Sequence, residues 1–142
     1  MDQANTIDKL KERLDRDVND IEAAISLGNF YYDKGEAAQS ALYYRAALDS
    51  DPALSGVRTD LGAMYWRNGN ISLAENAFRE AIAKDPDFGQ AYVNLGLLLQ
   101  LARSDVAGAR SVWQQLLAVS PDHEVSGRVR ELLQETASKV NH

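Results

Sequence analysis

The sequence predicts an all-α protein: three stacked helix pairs with an extra helix at each end. Two observations carry this reading. Landmark residues recur every 34 or 35 positions. Between them apolar residues follow the helical period, and no stretch alternates as a strand would. Gly28, Gly62 and Gly96 are spaced by 34 and 34, each preceded by a leucine (Leu27, Leu61, Leu95) and followed three residues later by Tyr31, Tyr65 and Leu99. Pro52, Pro86 and Pro121 are spaced by 34 and 35, as are Tyr44, Phe78 and Trp113, and Ala47, Ala81 and Leu116. The additional residue of the third unit falls between Leu99 and Ala109, in RSDVAG, a turn in which an insertion costs little.

The elements follow in order. Residues 1–20 form an N-terminal capping segment whose helix, at about 5–16, places Ile7, Leu10 and Leu14 on one face, with Val18 where later units carry proline. Residues 21–54 are the first unit. Ala24, Leu27, Gly28 and Tyr31 lie at i, i+3, i+4, i+7 on its first helix, and Gly35 stops that helix. Ala41, Tyr44, Ala47 and Leu48 form the inward stripe of its second helix, which ends at Asp51-Pro52 because proline disfavours helical geometry in the residue before it. Residues 55–88 repeat the pattern, with Gly69 as the stop and Asn70 as the expected N-cap of the second helix. Residues 89–122 are the third unit. Residues 123–142 form a C-terminal cap, with an amphipathic helix over about 123–139 carrying Val125, Val129, Leu132 and Leu133. Glycine inside a helix costs ~1 kcal/mol relative to alanine. Three at one phase therefore point to close helix–helix approach at Gly28, Gly62 and Gly96.

The run Leu-Gly-x-x-Tyr, then Gly, a small residue, an aromatic, a small residue and Asp-Pro resembles the tetratricopeptide repeat. It covers roughly residues 21–122, and the second unit matches most fully through Leu61, Gly62, Tyr65, Gly69, Ala74, Phe78, Ala81 and Pro86. The departures are local. The aromatic that the family often places three residues before the leucine is Ala24, Arg58 and Tyr92 in turn; Ser40 replaces an alanine; the third unit lacks the inter-helix glycine. The resemblance implies a right-handed superhelix whose first helices line a concave groove used to hold another protein.

On that implication the groove face carries Glu22, Ile25, Ser26, Asn29, Tyr32 and Asp33 in the first unit and Thr59, Asp60, Ala63, Trp66 and Arg67 in the second. Gln90, Val93, Asn94, Leu97, Gln100 and Leu101 follow in the third. The partner-binding residues expected to matter are Ile25, Asn29, Tyr32, Asp60, Trp66, Arg67, Asn94 and Leu97, with Tyr32 and Trp66 one unit apart at the same phase. Val93, Leu97 and Leu101 predict a more apolar groove toward the C-terminal end. Members of the family that hold the acidic tails of heat-shock chaperones use lysine, arginine and asparagine here. This chain keeps Asn29 and Asn94 but has Ile25 and Gln90 in place of cations, so a terminal carboxylate lacks its charge-assisted partner. Glu22, Asp33 and Asp60 against Arg67 suit a neutral or basic, partly apolar peptide or helix instead.

Composition agrees with a binding rather than a chemical role. The net charge of −6 disfavours nucleic acid, and the acidic excess is N-terminal: residues 1–54 carry 11 acidic and 6 basic side chains. There is no cysteine, hence no thiolate nucleophile or zinc-thiolate site. His123, expected to be solvated at the start of the last helix, and His142 stand apart from any repeated carboxylate, so neither a metal nor a catalytic triad is expected. Asp15-x-Asp17-x-Asn19 imitates a calcium loop, but Asp20 and Ser26 stand where its glycine and glutamate belong. Neither an enzyme nor a cofactor is therefore expected. No apolar run has membrane-spanning length, and no secretory pattern opens the chain, so a cytoplasmic protein is expected. Two further readings stand beside the scaffold. One is an assembly factor similar to the repeat domains of bacterial cytochrome c biogenesis proteins, which implies a periplasmic or membrane-tethered setting and an apoprotein partner. The other is a self-associating structural module, a homo-oligomer formed through an uncovered end or the C-terminal helix.

Overall fold

The computed structural model describes residues 2–140, so His142 lies outside the described residues. They form eight helices: α1 (Gln3–Arg16), α2 (Ile21–Asp33), α3 (Ala37–Ser50), α4 (Ser55–Arg67), α5 (Ile71–Lys84), α6 (Gly89–Leu101), α7 (Val106–Val119) and α8 (Ser126–Thr136). The first helices α2, α4 and α6 keep an offset of 34 at both ends. So do α1, α3 and α5, which makes α1 a second helix without its first. The offset from α5 to α7 is 35, and the added residue sits in the α6–α7 turn.

Backbone chemistry explains the punctuation. Gly35 and Gly69 have φ of 74° and 83°. At each, the residue after the glycine donates to a carbonyl five residues back (Glu36 to Tyr31, 2.9 Å; Asn70 to Tyr65, 2.8 Å), and the glycine donates three back, to Tyr32 and Trp66. This is the Schellman closure of a helix end. In the third unit Ser104 takes the left-handed conformation at φ 54°, so the longer turn is closed without glycine. Asn70 stands at the N-cap of α5, but its side chain makes no capping bond. Asp2, Asp20 and Asp105 do cap, accepting from Asn5, Ala23 and Gly108.

Each mid-helix glycine faces the large aromatic of its own second helix. A Cβ at Gly28 would lie 2.4 Å from Tyr44, at Gly62 2.5 Å from Phe78, and at Gly96 2.0 Å from Trp113. The three rings are fully buried, so glycine is what lets the paired helices close. Ser40 is buried with no cost in polarity, because its hydroxyl donates to the Gly28 carbonyl at 2.9 Å. The aromatic missing at Arg58 is replaced in function. Tyr92 donates its hydroxyl to the Pro86 carbonyl at 2.6 Å, and Arg58, 34 residues earlier, donates Nη2 to the Pro52 carbonyl at 2.8 Å.

The core is two clusters in series. One joins α2, α3 and α4 around Tyr44, Leu48, Leu61 and Met64; the other joins α5, α6, α7 and α8 around Phe78, Leu98, Trp113 and Val129, and Tyr65 packs against both. The terminal helices differ from expectation in extent. α1 begins at Gln3 because Asp2 supplies a cap ahead of the first apolar residue. α8 begins at Ser126, not near 123, because residues 120–126 are spent in consecutive turns, His123 to the Ser120 carbonyl and Ser126 to the His123 carbonyl. His123 accordingly precedes the helix and is not simply solvated: it is half-buried, accepts the Val125 N–H at Nδ1, and packs against Gly89. α8 stops at Thr136, where the chain tightens into three-residue turns.

Candidate functional site

The face shared by α2, α4 and α6 contains an open groove of about 480 Å³ lined by Tyr32, Ala63, Trp66, Arg67 and Asn94. The 34-residue offset places Tyr32 and Trp66 at one phase of successive first helices, because α2 and α4 end in the same register. Arg67 crosses between them. Its guanidinium lies 5.2 Å from the Tyr32 ring centre, and Nη1 donates to the Tyr32 carbonyl at 3.4 Å. Cation and ring hold each other in place while both remain partly open to solvent.

The surroundings are more polar than the sequence alone indicates. Tyr44 reaches from α3 past Gly28 and donates its hydroxyl to Asn29 Oδ1 at 2.6 Å; its ring centre lies 6.5 Å from that of Tyr32. Burial, then the Asp60 charge, raises the Tyr44 phenol pKa above its usual value. Asp60 is half-buried, and burial raises its carboxyl above the usual 3.8. Asn94 accepts from Gln90 Nε2 at 2.8 Å, which orients its amide, and among the described residues its own N–H donors have no partner.

The expected residues divide accordingly. Tyr32, Trp66, Arg67 and Asn94 come together in the groove. Asn29 and Asp60 flank Tyr44 rather than standing free. Ile25 and Leu97 are half-buried and pack against the two core clusters, so they offer a partner only part of their surface. The apolar C-terminal end needs correction. Val93 is 5% exposed and belongs to the core, Thr59 is buried on the Ser55 carbonyl, and Leu101 alone of the three apolar residues stands exposed. Tyr44 is core, as its stripe indicates, and lines no part of the groove. What the stripe does not show is that its hydroxyl holds Asn29 from behind; the signal available was the pairing of Gly28 with a tyrosine where the later units carry Phe78 and Trp113. The pseudo-calcium run serves a turn, in which Asp17 Oδ1 accepts the Asn19 N–H at 2.9 Å. Among the described residues no helix is long and apolar enough to cross a membrane.

Helix pairs stacked in register around an aromatic- and amide-lined face define a helical-repeat solenoid. The chain belongs to the tetratricopeptide repeat family, whose profiles match residues 21–54 and 59–111. It is similar to RNA polymerase II-associated protein 3 of Xenopus laevis, at 26% identity over 126 residues covering 86% of this chain; it spans about a fifth of that relative's length (19%). Among solved structures it superposes on the first TPR of Spaghetti (RPAP3) bound to the HSP90 peptide SRMEEVD, with a TM-score of 0.68, 21% identity, and coverage of 82% of this chain and 95% of that one. It also superposes on the Yersinia enterocolitica type III secretion chaperone SycD in complex with a peptide of the translocator YopD, with a TM-score of 0.74, 21% identity, and coverage of 83% and 92%.

Proposed function

We propose that the chain is a protein-interaction scaffold that holds a peptide or helical segment of a partner in the groove between α2, α4 and α6. The segment is neutral to basic and partly apolar. The observation that supports this most directly is the pairing of Tyr32 and Trp66 across Ala63, with the Asn94 amide N–H groups beside them. Aromatic walls supply area at low entropic cost, and an oriented amide fixes a backbone. The charge preference follows from Arg67 and Asp60. The Spaghetti domain takes a peptide with two glutamates and a terminal aspartate. Here the single cation among the lining residues is already engaged with Tyr32. Asp60 meanwhile carries a carboxyl whose ionisation burial disfavours, a group that a ligand cation would stabilise.

The test is an array of immobilised heptapeptides graded in charge and apolarity, probed with the wild-type chain and with Tyr32→Ala/Trp66→Ala. Retention of lysine-bearing, partly apolar peptides by the wild type and its loss in the double variant, at unchanged helicity and melting temperature, is the expected result. Preferential retention of acidic peptides would reverse the charge assignment. Equal retention by both proteins would remove the groove from the binding function.

A further inference from the structure

A larger open slot lies among the second helices, between α3 and α5. It encloses about 850 Å³, within the range of roughly 300–1,000 Å³ typical of ligand clefts. Arg45 and Leu42 come from α3, Tyr65 from α4, and Leu73 and Ala77 from α5. The repeat shows what fills such a slot. Thirty-four residues before Arg45, Tyr65 and Ala77 stand Lys11, Tyr31 and Tyr43. There the Tyr43 ring stacks on Tyr31, with centres 5.7 Å apart and planes within 6°, and Lys11 Nζ lies 5.6 Å from the Tyr31 centre. In the following unit the positions are Arg79, Leu99 and Val112; the leucine and valine are 5% and 7% exposed in the core. One of three equivalent slots is thus closed by stacked tyrosines and one by a leucine–valine pair. The middle one stays open because Ala77 puts a methyl where the first unit has a ring.

The open slot retains the parts of the closed one. Among the described residues Tyr65 has no ring partner and Arg45 no ion pair. Arg58 and Glu80, which also line it, neutralise each other at 2.6 Å. Asp49, four residues after Arg45 on α3, also lines the slot, so its lining charges balance. Arg45 is the lining cation outside an ion pair among the described residues, and a guanidinium is complementary to the negative face of a ring. Leu42 and Leu73, 54% and 49% exposed, add apolar surface on both flanking helices.

We propose that this slot is a second interaction site, which accepts an aromatic side chain carried on a partly apolar segment of a partner protein. The ring stacks on Tyr65 as Tyr43 stacks on Tyr31, and Arg45 supplies the cation that Lys11 supplies there. The site is independent of the groove between α2, α4 and α6.

The experiment is a nitrogen–proton correlation NMR titration of the full chain with three probes: N-acetyltyrosinamide, N-acetyltryptophanamide and N-acetylleucinamide. Both aromatic probes are expected to saturate shifts at Arg45, Tyr65 and Ala77 in the millimolar range, with leucinamide about tenfold weaker, the discrimination that stacking and cation–π contacts provide. Ala77→Tyr, which restores the tyrosine pair from within, should abolish those shifts. Should that variant fail to fold, Tyr65→Leu, the residue of the third unit, is the deciding one and should weaken aromatic binding to the leucinamide level. Tyr32→Ala/Trp66→Ala should leave the titration unchanged, which separates this site from the groove. The proposal is overturned by the absence of shifts at the slot, by equal affinity for leucinamide, or by aromatic binding that survives both slot variants.

Discussion

Gly62 and Gly127 are both helical glycines, yet their neighbours differ. A Cβ at Gly62 would meet Phe78 at 2.5 Å, whereas one at Gly127 meets nothing within 4 Å. Alanine gains up to about 1 kcal/mol of helix propensity at either position. At Gly62 the clash with a buried ring outweighs that gain, and Gly62→Ala should destabilise the chain by roughly 1–3 kcal/mol. Gly127→Ala should raise the melting temperature slightly; thermal unfolding of the two variants against wild type measures the difference. Asp60 gives a pH-dependent counterpart. Its carboxyl is raised by burial, so the folded state binds the proton more tightly than the unfolded state, and ionisation costs stability. That cost is complete above the raised value and absent below the ordinary 3.8. Asp60→Asn should therefore melt higher than wild type at neutral pH, with an advantage that shrinks as pH falls through the carboxylate range. An advantage that grows toward acid pH would contradict the assignment.

At the scale of elements, the least expected feature is how α8 is fastened. Val129 and Leu132 enter the core cluster of the third unit, as an amphipathic cap requires. The polar fastening comes from Arg110 of α7, which donates Nη1 to the Leu133 carbonyl and to Thr136 Oγ1, the latter at 2.8 Å. Thr136, buried at 1%, in turn donates to the Leu132 carbonyl at 2.7 Å. Helix C-termini leave carbonyls without intrahelical donors, and one guanidinium here serves the last turn of a neighbouring helix. Arg110→Ala should cost about 1–3 kcal/mol through the acceptors left unpaired. Hydrogen exchange should show protection lost from α8 first, with α2 to α4 unaffected; uniform loss along the chain would mean that Arg110 acts on global stability rather than on the cap.

For the whole molecule, stacking in one dimension makes stability a sum of unit and interface terms. The two core clusters are bridged by Tyr65, which packs against both. Tyr65→Ala should weaken the coupling more than either cluster. Urea unfolding followed by far-UV circular dichroism and by tryptophan fluorescence should then give separate transitions, because Trp66 and Trp113 both report on the C-terminal cluster. Coincident transitions in the variant would show that the backbone stack alone carries the coupling.

The sequence by itself determined the repeat length, the helix register and the turn that absorbs the extra residue, because these depend on local signals: glycine where φ is positive, Asp-Pro where a helix stops, apolar residues on one stripe. It also indicated why Gly28, Gly62 and Gly96 recur, since a glycine at fixed phase has few other causes. The tertiary structure decided what depends on neighbours distant in sequence. Val93 and Thr59 read as groove residues by phase, but adjoining helices bury them. Arg58 reads as a lost aromatic, but its guanidinium reaches the Pro52 carbonyl, the equivalent of the Pro86 carbonyl that Tyr92 reaches one unit later. Ala77 reads as an ordinary small core residue. Only the stack shows that it leaves a slot open beside Tyr65, because a cavity depends on what the next helix does not fill.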